Sequence, residues 1–210
     1  MQDPFVFVVV FAIFVMSVVA HEVAHGWVAL QCGDPTALKA GRLTLNPLPH
    51  IDPMMTVVLP LMLILAGAPF VFGGAKPVPI NPFLLRNRRR DWMLVSAAGV
   101  AANLLIAVVL AVLLRGLLLS GIFVAKSLGT VALASGVGVN IFLALFNLLP
   151  IPPLDGSWIV GLLFPDTVGR LMSRLQPVGF ILLILLIWLT PLLSYLDVLW
   201  GFIFRLLLGL

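Results

Sequence analysis

Three side chains capable of metal and acid–base chemistry stand together near the start of the chain. The run His21-Glu22-Val23-Ala24-His25 holds two of the three histidines and the only glutamate. On a helix, His21 and His25 are one turn apart and share a face, so both imidazoles can reach one metal ion. Glu22 points in a neighbouring direction, close enough to act on a water at such a metal. From Phe5 to Leu30 the chain has no other ionisable side chain. A carboxylate and two imidazoles are costly in an apolar run unless a metal or other partners satisfy them. The competing reading is a chance spacing, since H-E-x-x-H is short. The scarcity of polar residues around it favours a metal site.

Two histidines need at least one further protein ligand, with a position left open for a reactant. The candidates are Asp3, Asp34, His50, Asp52, Asp91, Asp155, Asp166 and Asp197. Asp155 stands apart because it follows an apolar span through the break Asn147-Leu148-Leu149-Pro150-Ile151-Pro152-Pro153-Leu154. Non-helical backbone at membrane depth persists only where it lines a cavity or is buried in protein. The alternative is an ordinary interfacial aspartate beyond a helix end. His50 and Asp52 can be read as an additional ligand, as partners of the ligands, or as an interfacial pair; the last two are favoured.

The elements that must position these groups are membrane spans. Of 210 residues, 62% are hydrophobic and 10% charged, against about 25% charged in a soluble domain. Several runs reach the roughly 20 apolar residues that a bilayer core requires. The expected fold class is an all-α polytopic membrane protein with about four to six transmembrane helices. Residues 1–210 read as one membrane-embedded domain, with a core at 4–157 and a hydrophobic C-terminal segment at 177–210. The net charge of +4 is no nucleic-acid signal, because four of the twelve basic residues crowd into Arg86-Asn87-Arg88-Arg89-Arg90. That is the pattern of a cytoplasmic loop. A lone Cys32 excludes an intramolecular disulfide and a cysteine-based zinc site. The N-terminus lacks the basic region of a signal peptide and reads as a true first span.

In order, the chain offers a span at 4–30 and a polar interlude at 31–53. The alternation of Arg42-Leu43-Thr44-Leu45-Asn46 within that interlude suggests a short interfacial strand. Residues 54–73 are apolar but interrupted. The segment Ala75-Lys76-Pro77-Val78-Pro79-Ile80-Asn81-Pro82 is then held extended by its prolines. Spans follow at 92–114 and 131–149, then an interfacial helix within 156–175 and the apolar end, which is one span or a span plus a shorter piece.

Topology tests the choice of Asp155. If 54–73 crossed the membrane fully, the two later spans would deliver Asp155 to the side opposite the histidines. If 54–82 enters and returns as a re-entrant segment, Asp155 arrives on the same side as His21 and His25. The arginine loop then shares that side, which the positive-inside rule makes the cytoplasm, with the N-terminus outside.

The motif His21-Glu22-Val23-Ala24-His25, paired with Asn147-x-x-Pro150-x-Pro152-x-Leu154-Asp155-Gly156, resembles the site-2 protease family of intramembrane zinc metalloproteases. Gly41-Arg42-Leu43-Thr44-Leu45-Asn46-Pro47, His50-Ile51-Asp52-Pro53, Ala75-Lys76-Pro77-Val78-Pro79 and Arg88-Arg89-Arg90-Asp91 are similar to its small prokaryotic branch, which lacks PDZ and CBS domains. The resemblance implies one zinc ion held by His21, His25 and Asp155, with Glu22 as catalytic base. It implies that Asn147 orients the substrate or the tetrahedral intermediate. Asn103 falls where the family shows Gly-Pro-x-x-Asn; here the residues are Gly99-Val100-Ala101-Ala102-Asn103, without the proline. The implied substrates are membrane-embedded segments of other proteins in the prokaryotic inner membrane.

Asn147 and Asn103 are amide donors that could stabilise developing oxyanion charge. Each could instead serve helix–helix hydrogen bonding; for Asn147 the catalytic role is favoured, while for Asn103 the two readings stand level. The proline-rich arm around Val78 and Ile80 could offer an edge to an extended substrate, or act as a rigid connector. The competing function is a non-proteolytic metal-binding membrane protein or transporter, which would spread polar residues along several spans rather than gather them at one depth. An inactive scaffold is the third reading, and the intact Glu22 argues against it.

Overall fold

The computed structural model describes residues 4–58, 61–62, 65, 73–122 and 127–209, and among these the regular structure is entirely helical. Helix α1 (Pro4–Gln31) opens on a proline, whose missing N–H costs nothing in a first turn. It runs for 28 residues, about 42 Å at 1.5 Å per residue. The chain turns after it at Gly33, whose φ of 108° suits glycine. Helix α2 is the short turn Thr36–Lys39.

Helix α3 (Arg88–Leu119) begins four residues before the expected Trp92, so the arginine cluster forms its first turn. Asn87 explains the early start. Its side chain accepts the Arg90 N–H at 3.1 Å, while Asp91 accepts the Asn87 N–H at 2.8 Å. The cap satisfies donors that a helix start would otherwise leave bare. Helix α4 (Leu128–Asn147) is capped likewise by Ser127.

These three long helices form the centre, each antiparallel to the next. His21 of α1 bonds Asn103 of α3, whereas His25, further along α1, bonds Val95, earlier on α3. Asn140 of α4 meets Asn103, whereas the earlier Gly136 lies against Leu110. The end of α1 and the start of α3 are tied together by the Arg86 N–H on the Cys32 carbonyl, at 3.1 Å.

Beyond α4 come α5 (Asp155–Leu163), α6 (Arg170–Leu175), α7 (Gly179–Leu189) and α8 (Leu192–Leu208). Among the described residues, four stretches are long and apolar enough to cross a membrane: Phe5–Gln31, Arg88–Leu119, Leu128–Asn147 and Thr167–Leu189. The protein is therefore a membrane protein. Ala107, Ala111, Val137 and Ile141 form a dry core between α3 and α4. Helix α8 covers it with Trp200, Ile203 and Phe204. The apolar C-terminal region thus divides at Thr190–Pro191 into α7 and a separate packing helix.

Arg42–Asn46 forms no strand. Its polar groups are used in other directions: Arg42 donates to the Lys76 carbonyl at 2.6 Å, and the Thr44 carbonyl accepts from His50 Nε2 at 3.0 Å. With no neighbouring strand to complete a ladder, side-chain bonds decide the local path. The innermost part of the expected re-entrant segment (59–60, 63–64 and 66–72) lies outside the described residues. Its two arms meet, however, with the Gly74 N–H on the Met55 carbonyl at 3.1 Å and the Thr56 hydroxyl on the Gly74 carbonyl at 2.6 Å.

Candidate metal centre

His21 and His25 lie in the second half of α1, where their shared face turns inward, leaving them 7% and 8% exposed. Asp155 reaches them from the first turn of α5, after the proline-rich break. The two Nε2 atoms are 3.0 Å apart, and Asp155 Oδ2 is 3.1 Å from one and 3.3 Å from the other. Among the described residues, this is the one group of three or more His, Cys, Asp or Glu side chains arranged to hold a metal ion.

Hydrogen bonding on the far side of each ring identifies the converging atoms. His25 Nδ1 lies 2.7 Å from the Val95 carbonyl, which can only accept, so Nδ1 carries the proton. His21 Nδ1 lies 2.6 Å from Asn103 Oδ1 and donates likewise. In the neutral rings both Nε2 atoms are therefore bare lone pairs. Asp155 Oδ2 is buried and receives no hydrogen bond. Three lone-pair atoms pressed together without a proton repel one another unless a cation sits among them. Two imidazoles and one carboxylate also match the donor set of a catalytic zinc site.

Glycine makes room for this cluster. A Cβ at Gly99 would stand 2.5 Å from Nε2 of both histidines, so α3 can pass beneath the site only without a side chain there. At Gly156 a Cβ would lie 2.2 Å from the Leu148 carbonyl oxygen, so the close turn that delivers Asp155 also depends on glycine.

Glu22 Oε2 accepts the Val78 N–H at 2.9 Å. The arm that carries Val78 is held at Lys76 by Arg42 and His50, and at Asn81 by Asp34, which accepts the Asn81 N–H at 2.6 Å. Val78 is buried against Gly26, and its N–H is taken up by Glu22.

Residues 125–189 match the model of Peptidase family M50. Over 190 residues the chain is 40% identical to YwhC of Bacillus subtilis, a protein named as a zinc metalloprotease; the match covers 89% of this chain and 81% of that one. It is 35% identical over 192 residues to Rip2 of Mycolicibacterium smegmatis, similarly named, covering 90% and 70%. The chain belongs to peptidase family M50. Rip2 of Mycobacterium tuberculosis is 35% identical over 151 residues, 72% of this chain and 55% of that protein. No solved structure matches the chain.

Within this M50 chain the structure brings the ligand atoms of His21, His25 and Asp155 together, with Glu22 next to His21 in the chain. Asn103 is fully buried, and both polar ends of its amide are engaged. Its Oδ1 faces His21, and its Nδ2 donates to Asn140 Oδ1 at 2.8 Å and to the Ser17 carbonyl at 3.4 Å. It has no N–H left for an oxyanion and acts instead on His21. Asn147 turns its amide back to the Leu143 carbonyl at 2.9 Å. His50 is buried on Thr44, and Asp52 caps the turn at Met54 and Met55. Val95, Ser17 and Asn140 escaped the sequence reading. A backbone carbonyl leaves no mark in a sequence, whereas Ser17 and Asn140, polar residues inside apolar spans, were a signal that was there to be read.

Proposed function

We propose that this M50 peptidase, an intramembrane zinc metalloendopeptidase, holds its zinc through His21, His25 and Asp155 and uses Glu22 as the general base. The convergence of His21 Nε2, His25 Nε2 and Asp155 Oδ2, each 3.0–3.3 Å from the others, carries this reading. Zinc, when bound, supplies Lewis acidity towards a carbonyl oxygen and makes water more acidic. The chain's own residues do the rest. Glu22 takes a proton from the attacking water and returns it to the leaving amine. The Val78 N–H holds one oxygen of that carboxylate, leaving the other for the proton. Asn147 has a second amide hydrogen to offer a substrate.

The substrates in this reading are transmembrane segments of other proteins, cleaved in the prokaryotic inner membrane. The end of the bundle bearing His21 and His25 also bears the arginines at the start of α3, so the site faces the cytoplasm. The meeting of Met55 and Thr56 with Gly74 supports a segment that enters the membrane and returns.

The test measures zinc and cleavage on the same purified protein. The parent is expected to carry one zinc per chain and to cleave a membrane-embedded substrate. Glu22→Gln should keep the zinc and lose at least ~10²-fold in rate, the usual scale of general acid–base catalysis. Full activity in Glu22→Gln would refute the mechanism.

A further inference from the structure

We propose that Asn140 and Ser17 are positioning residues for the metal centre, acting through Asn103 to fix which nitrogen of His21 faces the ion. The proposal rests on His21 being a ligand, as set out above.

The side chains form one continuous relay across α1, α3 and α4, and its direction can be read from its ends. The Ser17 hydroxyl lies 2.8 Å from the Ile13 carbonyl, which can only accept, so the hydroxyl donates there. Its oxygen then accepts from Asn140 Nδ2, 2.9 Å away. The same Nδ2 donates to the Gly136 carbonyl at 2.8 Å. Both bonds turn Asn140 Oδ1 towards Asn103, where it accepts from Nδ2 at 2.8 Å. Asn103 Oδ1 is thereby aimed at His21 Nδ1, and the ring proton is drawn to that nitrogen. Nε2 is left bare for the metal.

Every alternative leaves a buried group unmatched. If Asn103 flipped, its Oδ1 would face the Ser17 carbonyl and Asn140 Oδ1, acceptor against acceptor. Its NH₂ would face His21 Nδ1, and the ring proton would move to Nε2, where a ligand must have none. If Asn140 flipped, its oxygen would face the Gly136 carbonyl. Asn103 and Asn140 are fully buried and Ser17 is 5% exposed, so water cannot repair a mismatch. Partners behind a metal-bound histidine commonly change metal affinity about 10–100-fold when removed. His25 needs no such relay, because the Val95 carbonyl cannot be flipped.

The experiment uses the full chain in detergent. Zinc affinity is measured by competition with a chelator, and cobalt(II) is substituted as a spectroscopic probe. Asn140→Leu, which keeps the branching and the number of side-chain heavy atoms and cannot hydrogen-bond, should weaken zinc binding about tenfold and shift the cobalt spectrum. In an Asn103→Ala background the same substitution should change affinity by less than about twofold, since the route to His21 is already cut. Unchanged affinity and spectrum in folded Asn140→Leu would overturn the proposal. So would an equal tenfold loss in the Asn103→Ala background, because the effect would then travel by another path. Should Asn140→Leu fail to fold, Ser17→Ala replaces it, with about a threefold loss expected and the same dependence on Asn103; no change would overturn the relay. His21→Ala separates the two ideas. If it binds zinc as tightly as the parent, the ligand assignment itself fails, and the relay with it.

Discussion

Two layers of the same helix pair are equally buried and opposite in character. One turn apart on α3, Asn103 and Ala107 are both inaccessible; on α4, Asn140 sits beside Ile141, equally hidden. The Ala107 layer is dry, made of small and branched residues under Trp200 and Phe204. The Asn103 layer is wholly polar, and its amides are hydrogen-bonded on both sides. In lipid, apolar contact between helices is not driven by exclusion of water, so the dry layer holds through close packing alone. The polar layer adds direction: a carbonyl or an amide distinguishes donor from acceptor, and a methyl group does not. One layer fixes how closely the helices approach; the other fixes which atoms face the metal.

This division predicts that damage to the two layers is read by different instruments. The largest effect is expected at the metal end. Gly99→Ala puts a methyl group 2.5 Å from both Nε2 atoms, so both imidazoles must move. A displacement of about 1 Å at a catalytic centre costs on the order of 10²-fold in kcat/KM. Zinc affinity should fall too, while the melting temperature of the metal-free protein stays near that of the parent. Retained zinc and activity would break the comparison.

Next is Ile141→Ala in the dry layer. The lost side chain leaves a void, but the transfer contribution is small in lipid, so roughly 1–2 kcal/mol of stability should go rather than the 2–5 typical of soluble cores. Unfolding in detergent should detect it, and zinc affinity per folded molecule should not change. A tenfold change in zinc affinity would mean that the layers are mechanically coupled.

The smallest effect is expected from Trp200→Phe. It removes the indole N–H bond to the Gly138 carbonyl, 2.8 Å long, but keeps a ring against α4. Hydrogen bonds between membrane helices average about 0.6 kcal/mol, so a slight loss of stability and no change in cleavage should follow. A large loss of activity would show that α8 supports the site as well as the dry layer.

Much of the centre was legible in the chain because charge is expensive in lipid. Few polar residues can stand inside apolar spans, so the spacing of His21, Glu22 and His25 and the placement of Asp155 after a proline-rich break carry unusual weight. The same rule applies to Ser17 and Asn140, neutral polar residues inside apolar spans. The strand expected at Arg42–Asn46 failed because alternation describes a face, and a ladder also needs a neighbour. The Val78 contact with Glu22 joins residues 56 positions apart through a backbone N–H that every non-proline residue possesses, so no pattern of side chains announces it.

The sequence by itself determined that the chain lives in a membrane and that His21, Glu22, His25 and Asp155 are rare ionisable groups at metal-binding spacing or at a break after an apolar span, since these follow from composition, hydropathy and spacing. Their protease roles came from the family resemblance. Only the tertiary structure decided what stands behind those side chains: the Val95 carbonyl, the orientation of Asn103, the bare floor at Gly99 and the arm on Glu22. The reason is physical. A residue's type limits which hydrogen bonds it can make, but which of its atoms meets which partner is settled only when three helices close around it.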